Sequence, residues 1–204
     1  MEISLAGDHM KIAESADGSA TITFDDVGTG RRCGDCQLCC RLVPVPTIGK
    51  GANVKCQHQR VGKGCMIYAV RPMACRTWAC RWLADPETAG MPRPDRCHYV
   101  IDLTWDFVTL QPPDGGQPFN IPVAQVWIDP AFRSAYRAPE LRAFMLRTAE
   151  KHGAGTICRF SRTDAITVFP PPVNAEREWI EMTGSLDPRN DKERAEALAL
   201  GESI

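Results

Sequence analysis

The sequence predicts an α+β protein: a small cysteine-rich helical module, then a small mixed α+β unit, then a C-terminal helix. Three observations predict it. Eight of the ten cysteines fall between Cys33 and Cys80. Short runs rich in Val, Ile, Thr and Phe begin at Val100 and read as strands. Among them, Pro139 to Gly153 puts Leu141, Phe144, Met145 and Thr148 on one helical face, with Gly153 as its stop. With 204 residues, 44% of them apolar, the chain is long enough to bury a core of ordinary size.

Residues 1–30 read as a leader and a short strand. Met1 to Asp17 is polar, carries Glu2, Asp8, His9, Glu14 and Asp17, and has no apolar stretch of the signal-peptide kind. No run of about 18 apolar residues is present, so no membrane span is expected. A cytoplasmic location follows as the expectation. Thr21 to Phe24 fits a strand, and Gly28 and Gly30 lead into the cysteines.

Residues 31–85 are the cysteine module. Pro44, Pro46, Gly49 and Gly51 make Leu42 to Asn53 a loop, and Gly62-Lys63-Gly64 is a tight turn that places Cys65. Arg71-Pro72 suits a helix start, because proline is tolerated at the first helical position. That helix is expected to run to Leu83 and stop before Pro86. Residues 95–172 form the α+β unit. Its strands are expected at Val100–Leu103, Asp106–Leu110, Val123–Ile128, Thr156–Phe160 and Ala165–Phe169, with a turn at Arg162–Asp164. Pro170 to Pro172 closes the unit. Residues 173–204 are a tail, helical over Asp187 to Leu200.

The cluster opens with Cys33-x-x-Cys36-x-x-Cys39-Cys40 and continues with Cys56, Cys65, Cys75 and Cys80. Cytosolic thiols stay reduced, so such a cluster reads as metal-binding or catalytic rather than as a disulfide framework. If Cys33 to Cys40 were helical, the four sulfurs would share an arc of about 120° spread over about 10 Å. That is too long for one ion with sulfurs at about 2.3 Å, and adjacent Cys39 and Cys40 diverge. The four later cysteines supply the missing ligands. Eight thiolates make two four-cysteine sites, or one cluster and one mononuclear site. All-sulfur ligation suits zinc or an iron–sulfur cluster, and the spacing leaves both open. Cys97 and Cys158 read as buried small apolar residues, with Cys97-His98 near enough in sequence to approach the metal. His58 reads as a solvent-facing or supporting residue, with ligation as its alternative. His9, His98 and His152 are scattered. Trp78 and Trp82 read as packing residues.

Charge is uneven. The net charge is −1, yet Arg31 to Leu83 holds ten Lys and Arg against one acid, Asp35. Cations between thiols favour the ligating thiolate. A nucleic-acid surface is the competing explanation.

Three segments also carry a resemblance. Cys33-Gly-Asp-Cys-Gln-Leu-Cys-Cys40 is followed by Cys56 and Gly64-Cys65-Met-Ile-Tyr68. Arg71-Pro-Met-Ala-Cys-Arg-Thr-Trp-Ala-Cys80 completes the pattern. It resembles the CxxCxxCC, or YkgJ-type, cysteine-cluster family, described as a zinc- or iron-chelating domain. The resemblance covers Cys33 to Leu83. It implies metal binding by Cys33, Cys36, Cys39, Cys40, Cys56, Cys65, Cys75 and Cys80, with Arg71, Pro72 and Arg76 as framework. A flagellin lysine N-methylase contains a similar cluster, but no glycine-rich methyl-donor fingerprint is present here.

Three function classes follow. The first is a metal-binding protein whose cluster is structural or carries metal, with no catalysis assigned. The second is an enzyme using an iron–sulfur centre for redox chemistry or protein methyl transfer. The third is a zinc module that binds nucleic acid or protein. The expected partners are metal ions and, in some of these classes, a protein.

Overall fold

The computed structural model describes residues 11–14, 20–23, 29–112 and 114–185. Its centre is a five-stranded sheet. Strands β1 (Lys11–Glu14) and β2 (Ala20–Thr23) form a separate antiparallel hairpin, and β3 (Gln59–Arg60) pairs with β4 (Gly64–Cys65). The large sheet runs in the order β5 (Tyr99–Leu110), β6 (Phe119–Ile128), β7 (Gly155–Arg159), β8 (Asp164–Phe169) and β9 (Ile180–Ser185). Every neighbouring pair is antiparallel except β6 and β7. A parallel pair needs a crossover of a dozen or more residues. The long helix, Pro139–His152, lies in that connection.

Alternation along the strands sorts side chains to two faces. Ile101, Val126, Cys158 and Val168 pack with Leu141, Phe144 and Met145 of the long helix. Val100 and Trp127 turn to the other face. There they meet the cysteine half: Leu38, Leu42, Ala79, Cys80 and Leu83 complete one buried cluster with them. The module and the α+β unit therefore share a core, and the interval expected between residues 85 and 95 is no packing boundary.

The structure corrects several expected elements. The strands expected at Val100–Leu103 and Asp106–Leu110 are one strand, β5, with a register shift between Ile101 and Trp105. The tail expected over residues 173–204 supplies a strand, β9, ahead of the stretch expected to be helical. Glu181 on that strand accepts hydrogen bonds from Tyr136 Oη at 2.8 Å, from Arg137 at 2.7 Å and from Arg142, which ties β9 to the helical side. Burial raises its carboxyl pKa, but those three donors outweigh this and hold it at about 2. The leader expected over residues 1–30 contains the β1–β2 hairpin. The expected helix Asp187–Leu200 lies outside the described residues, as do His9 and the end of the expected strand at Phe24.

The helices of the cysteine half are short: α1 (Leu38–Leu42), α2 (Met73–Arg76), α3 (Arg81–Ala84) and α4 (Pro94–Cys97). Of the helix supposed over Cys33 to Cys40, only the end forms, as the start of α1. Gly34 has φ +53°, and the amide of Cys36 turns back to Cys33 O at 2.9 Å. Nor is the helix from Pro72 to Leu83 continuous. Cys80 adopts extended backbone (φ −75°, ψ 153°) and makes an isolated antiparallel bridge to Asp102 of β5. Bonding to the sheet at that residue breaks the helix into α2 and α3.

Asp102 anchors this junction. It is 6% exposed. Its carboxylate accepts from Trp78 Nε1 at 2.8 Å, Trp127 Nε1 at 3.3 Å, the Thr104 amide at 3.0 Å and Thr104 Oγ1 at 2.9 Å. Its carbonyl accepts from Arg81 Nε at 3.0 Å. Removing the carboxylate strands two indole donors in a packed layer. Asp102→Ala should cost about 3 kcal/mol in chemical denaturation, and Asp102→Asn, which keeps one acceptor oxygen, roughly half of that. Tryptophan emission should shift to the red in Asp102→Ala. An unchanged denaturation midpoint in that variant would contradict this account.

Candidate metal centre

Loop geometry brings the cysteines together. Gly49 (φ +65°) reverses the chain after Pro46–Ile48, and Val45 and Lys50 pair across that turn. The Cys56 amide donates to Cys40 O at 3.0 Å, so the returning loop lies against α1. Gly64 (φ +79°) turns the β3–β4 hairpin toward the Gly34 loop. A Cβ on Gly64 would stand 2.5 Å from Gly34 O, so only glycine permits this approach. Asp35 of the same loop pairs with Arg93 at 2.8 Å, and Arg93 also binds Asp95 at 2.6 Å.

The outcome is one cavity of about 220 Å³ lined by all eight clustered cysteines. The rest of its lining is mostly apolar and includes Val43, Ile48, Ile67 and Trp78. His58 stands at the cavity wall. Cys97 and Cys158 do not line it; both pack with the cluster beneath the long helix. The thiol of Cys97 faces the carbonyls of Pro92, Pro94 and Tyr99 at 3.6–3.7 Å, and burial pushes its pKa up to about 11. Burial also raises the Cys158 pKa strongly. His98, in left-handed backbone (φ 62°), stacks on Phe132 at 3.6 Å. His152 meets the edge of Trp105.

Within the cavity the thiols fall into two groups. Cys33, Cys36, Cys39 and Cys80 pack with the apolar cluster on the sheet. Burial pushes Cys36 up to about 11 and Cys80 up to about 12, and the nearby Cys33 adds to both. Backbone amides oppose the rise: those of Leu38 and Asp95 donate to Cys36, and that of Leu83 to Cys80. Cys40, Cys56, Cys65 and Cys75 interact with one another. Burial raises Cys65 and Cys75, and charge on Cys40 and Cys56 raises both further. A side-chain hydrogen bond between Cys39 and Cys40 is the largest cause raising Cys39 well above its ordinary value, and the largest lowering Cys40 to about 7. Lys50 and Arg71 lower Cys40 further.

Lys50 is the residue that sequence reasoning missed here. It is 7% exposed, and its Nζ donates to Val43 O at 2.5 Å, Gly51 O at 3.2 Å and Arg41 O at 3.4 Å. Burial lowers its pKa, and the charge on Cys40 and Cys56 acts against that. A lone lysine in a Pro- and Gly-rich loop between two cysteines was the available signal. Two other basic residues of the window serve packing. Arg41 pairs with buried Asp129, and Arg31 donates to Trp82 O and to Thr88 Oγ1.

Among the described residues, no group of three or more His, Cys, Asp and Glu side chains already has the spacing to hold an ion. Neutral thiols have no need to converge, and a tetrahedral site would draw sulfurs to about 2.3 Å from its metal. The chain matches no protein-family model, no curated protein and no solved structure. The resemblance in the cysteine pattern thus stands on the motif residues alone.

The hairpin contact gives a direct check. Gly64→Ala combines strained backbone with a clash against backbone and should cost at least about 2 kcal/mol. Gly62→Ala has similar backbone (φ +71°) but open space around the added methyl. It should cost about 1 kcal/mol. Thermal melts of the two variants should rank in that order, and equal melts would remove the Gly34 contact from the account.

Proposed function

We propose that this chain is a metal-binding protein whose cysteine cavity takes zinc or an iron–sulfur cluster, as a structural or carried metal, with no catalysis of its own assigned. One observation carries the reading. All eight clustered cysteines line a single small cavity, and the two remaining cysteines do not. The donor chemistry fits, because soft thiolates are the ligands both metals favour. Cys33, Cys36, Cys39, Cys40, Cys56, Cys65, Cys75 and Cys80 would hold the metal. Bound there, it would cross-link loops that otherwise rest on few buried side chains. Lys50 and Arg71 oppose part of the negative charge that deprotonated sulfurs bring.

Binding of this kind couples to folding and is worth on the order of 10 kcal/mol in zinc modules. Protein purified without oxygen should carry about two or more zinc or iron atoms per chain by elemental analysis. Its UV–visible spectrum then separates colourless zinc from coloured iron–sulfur. Cys158→Ala and Cys97→Ala should keep the full metal content, whereas Cys36→Ser and Cys75→Ser should lose metal. Less than about one metal atom in fully reduced wild-type protein, or equal loss in all four variants, would sink the reading.

A further inference from the structure

We propose that the eight thiols are two sites with different exchange behaviour. An inner quartet, Cys33, Cys36, Cys39 and Cys80, holds a resident structural ion on the sheet. An outer quartet, Cys40, Cys56, Cys65 and Cys75, trades its ion with solution. The proposal rests on the metal-binding reading above and divides its ligands.

The packing draws the division. The inner four lie against the buried cluster of Leu38, Leu42, Leu83, Val100 and Trp127. Cys80 is fixed to the sheet by its backbone bridge to Asp102. Backbone amides of Leu38, Asp95 and Leu83 point at inner sulfurs. Such donors are already in place and need no rearrangement when charge arrives. Among the described residues, none of the outer four belongs to that cluster. Cys65 sits on a strand of two residues and Cys75 on a helix of four. The segment between them is open to solvent, with Met66 56%, Val70 74% and Met73 60% exposed. Lys50 and Arg71 act on Cys40 of the outer set. Four thiolates around a divalent ion carry a charge of −2, which two side-chain cations can offset. Those cations remain when the ion leaves, so they limit the cost of emptying the site.

Connectivity sets where the two sites meet and where they part. Cys39 and Cys40 are neighbours on α1 and interact with each other, so the two sites adjoin there. Cys75 and Cys80 are separated by the break between α2 and α3, which sends them to different quartets.

The test is zinc release from the full-length, zinc-loaded, reduced chain to an excess of the chromogenic chelator 4-(2-pyridylazo)resorcinol. Wild type should release zinc in two phases of equal amplitude. Cys40→Ser and Cys75→Ser should lose the fast phase alone, keep about half of the zinc and retain the circular dichroism of the sheet. Cys39→Ser and Cys36→Ser should lose the slow phase. If the inner variants fail to fold, Cys40→Ser and Cys65→Ser still decide, since both must keep the slow phase. Release in a single phase, or loss of both phases in Cys40→Ser, overturns the division while leaving metal binding intact. A wild-type chain that takes up iron but no zinc overturns the division alone, and one that takes up neither zinc nor iron overturns metal binding and the division together.

Discussion

The cysteine half depends on one backbone contact, the bridge between Cys80 and Asp102. It interrupts a segment that would otherwise continue as helix, and it puts a thiol against the sheet. It also seats the Asp102 carboxylate between two indoles, Trp78 from the cysteine half and Trp127 from β6. A carboxylate placed in a packed layer must have donors, because leaving it or its partners unpaired costs more than the bonds return. The layer is consistent only when Cys80, Trp78, Asp102 and Trp127 are all in register. That requirement fixes where α1 and α3 rest, and so where the inner sulfurs lie.

A second constraint is the charge that sulfur can carry. Eight thiols in a mostly apolar cavity are cheap while protonated and expensive once ionised. The structure shows both sides of this balance. Burial raises Cys36, Cys65, Cys75 and Cys80. Cys40 goes the other way, with its hydrogen bond to Cys39 and the cations Lys50 and Arg71 nearby. The basic surplus between Arg31 and Leu83 thus has two uses. Some of it faces sulfur, and some, such as Arg41 on Asp129, holds the module to the sheet.

Much of the α+β half was legible in the sequence, because its strands alternate and its long helix has a clean apolar face. The end of that half was not. Ile180 to Ser185 sits beyond a proline run and carries Glu181, Thr183 and Gly184, and its pairing is decided by β8 and by Arg137, Tyr136 and Arg142. For the site, residue identity was readable and conformation was not. Spacing drew Pro72 to Leu83 as one helix, since no local breaker stands in that segment. The break there comes from a residue in β5, a long-range partner that a local pattern does not contain. Asp102 had a visible signal, a charged residue inside an apolar run, yet its partners became evident only from the fold.

The register shift between Ile101 and Trp105 bears on solubility. Strand β5 lies at the margin of the sheet, spans 12 residues and shows Trp105 and Phe107 to solvent. A straight strand of that length and character would be a template for a second molecule to pair against. An irregularity in mid-strand bends and twists the margin, and α1, α3 and α4 cover its first part. The cysteine half is therefore also a guard. While it remains docked, a short, bent and aromatic stub of the margin is what the described residues leave for another chain to find.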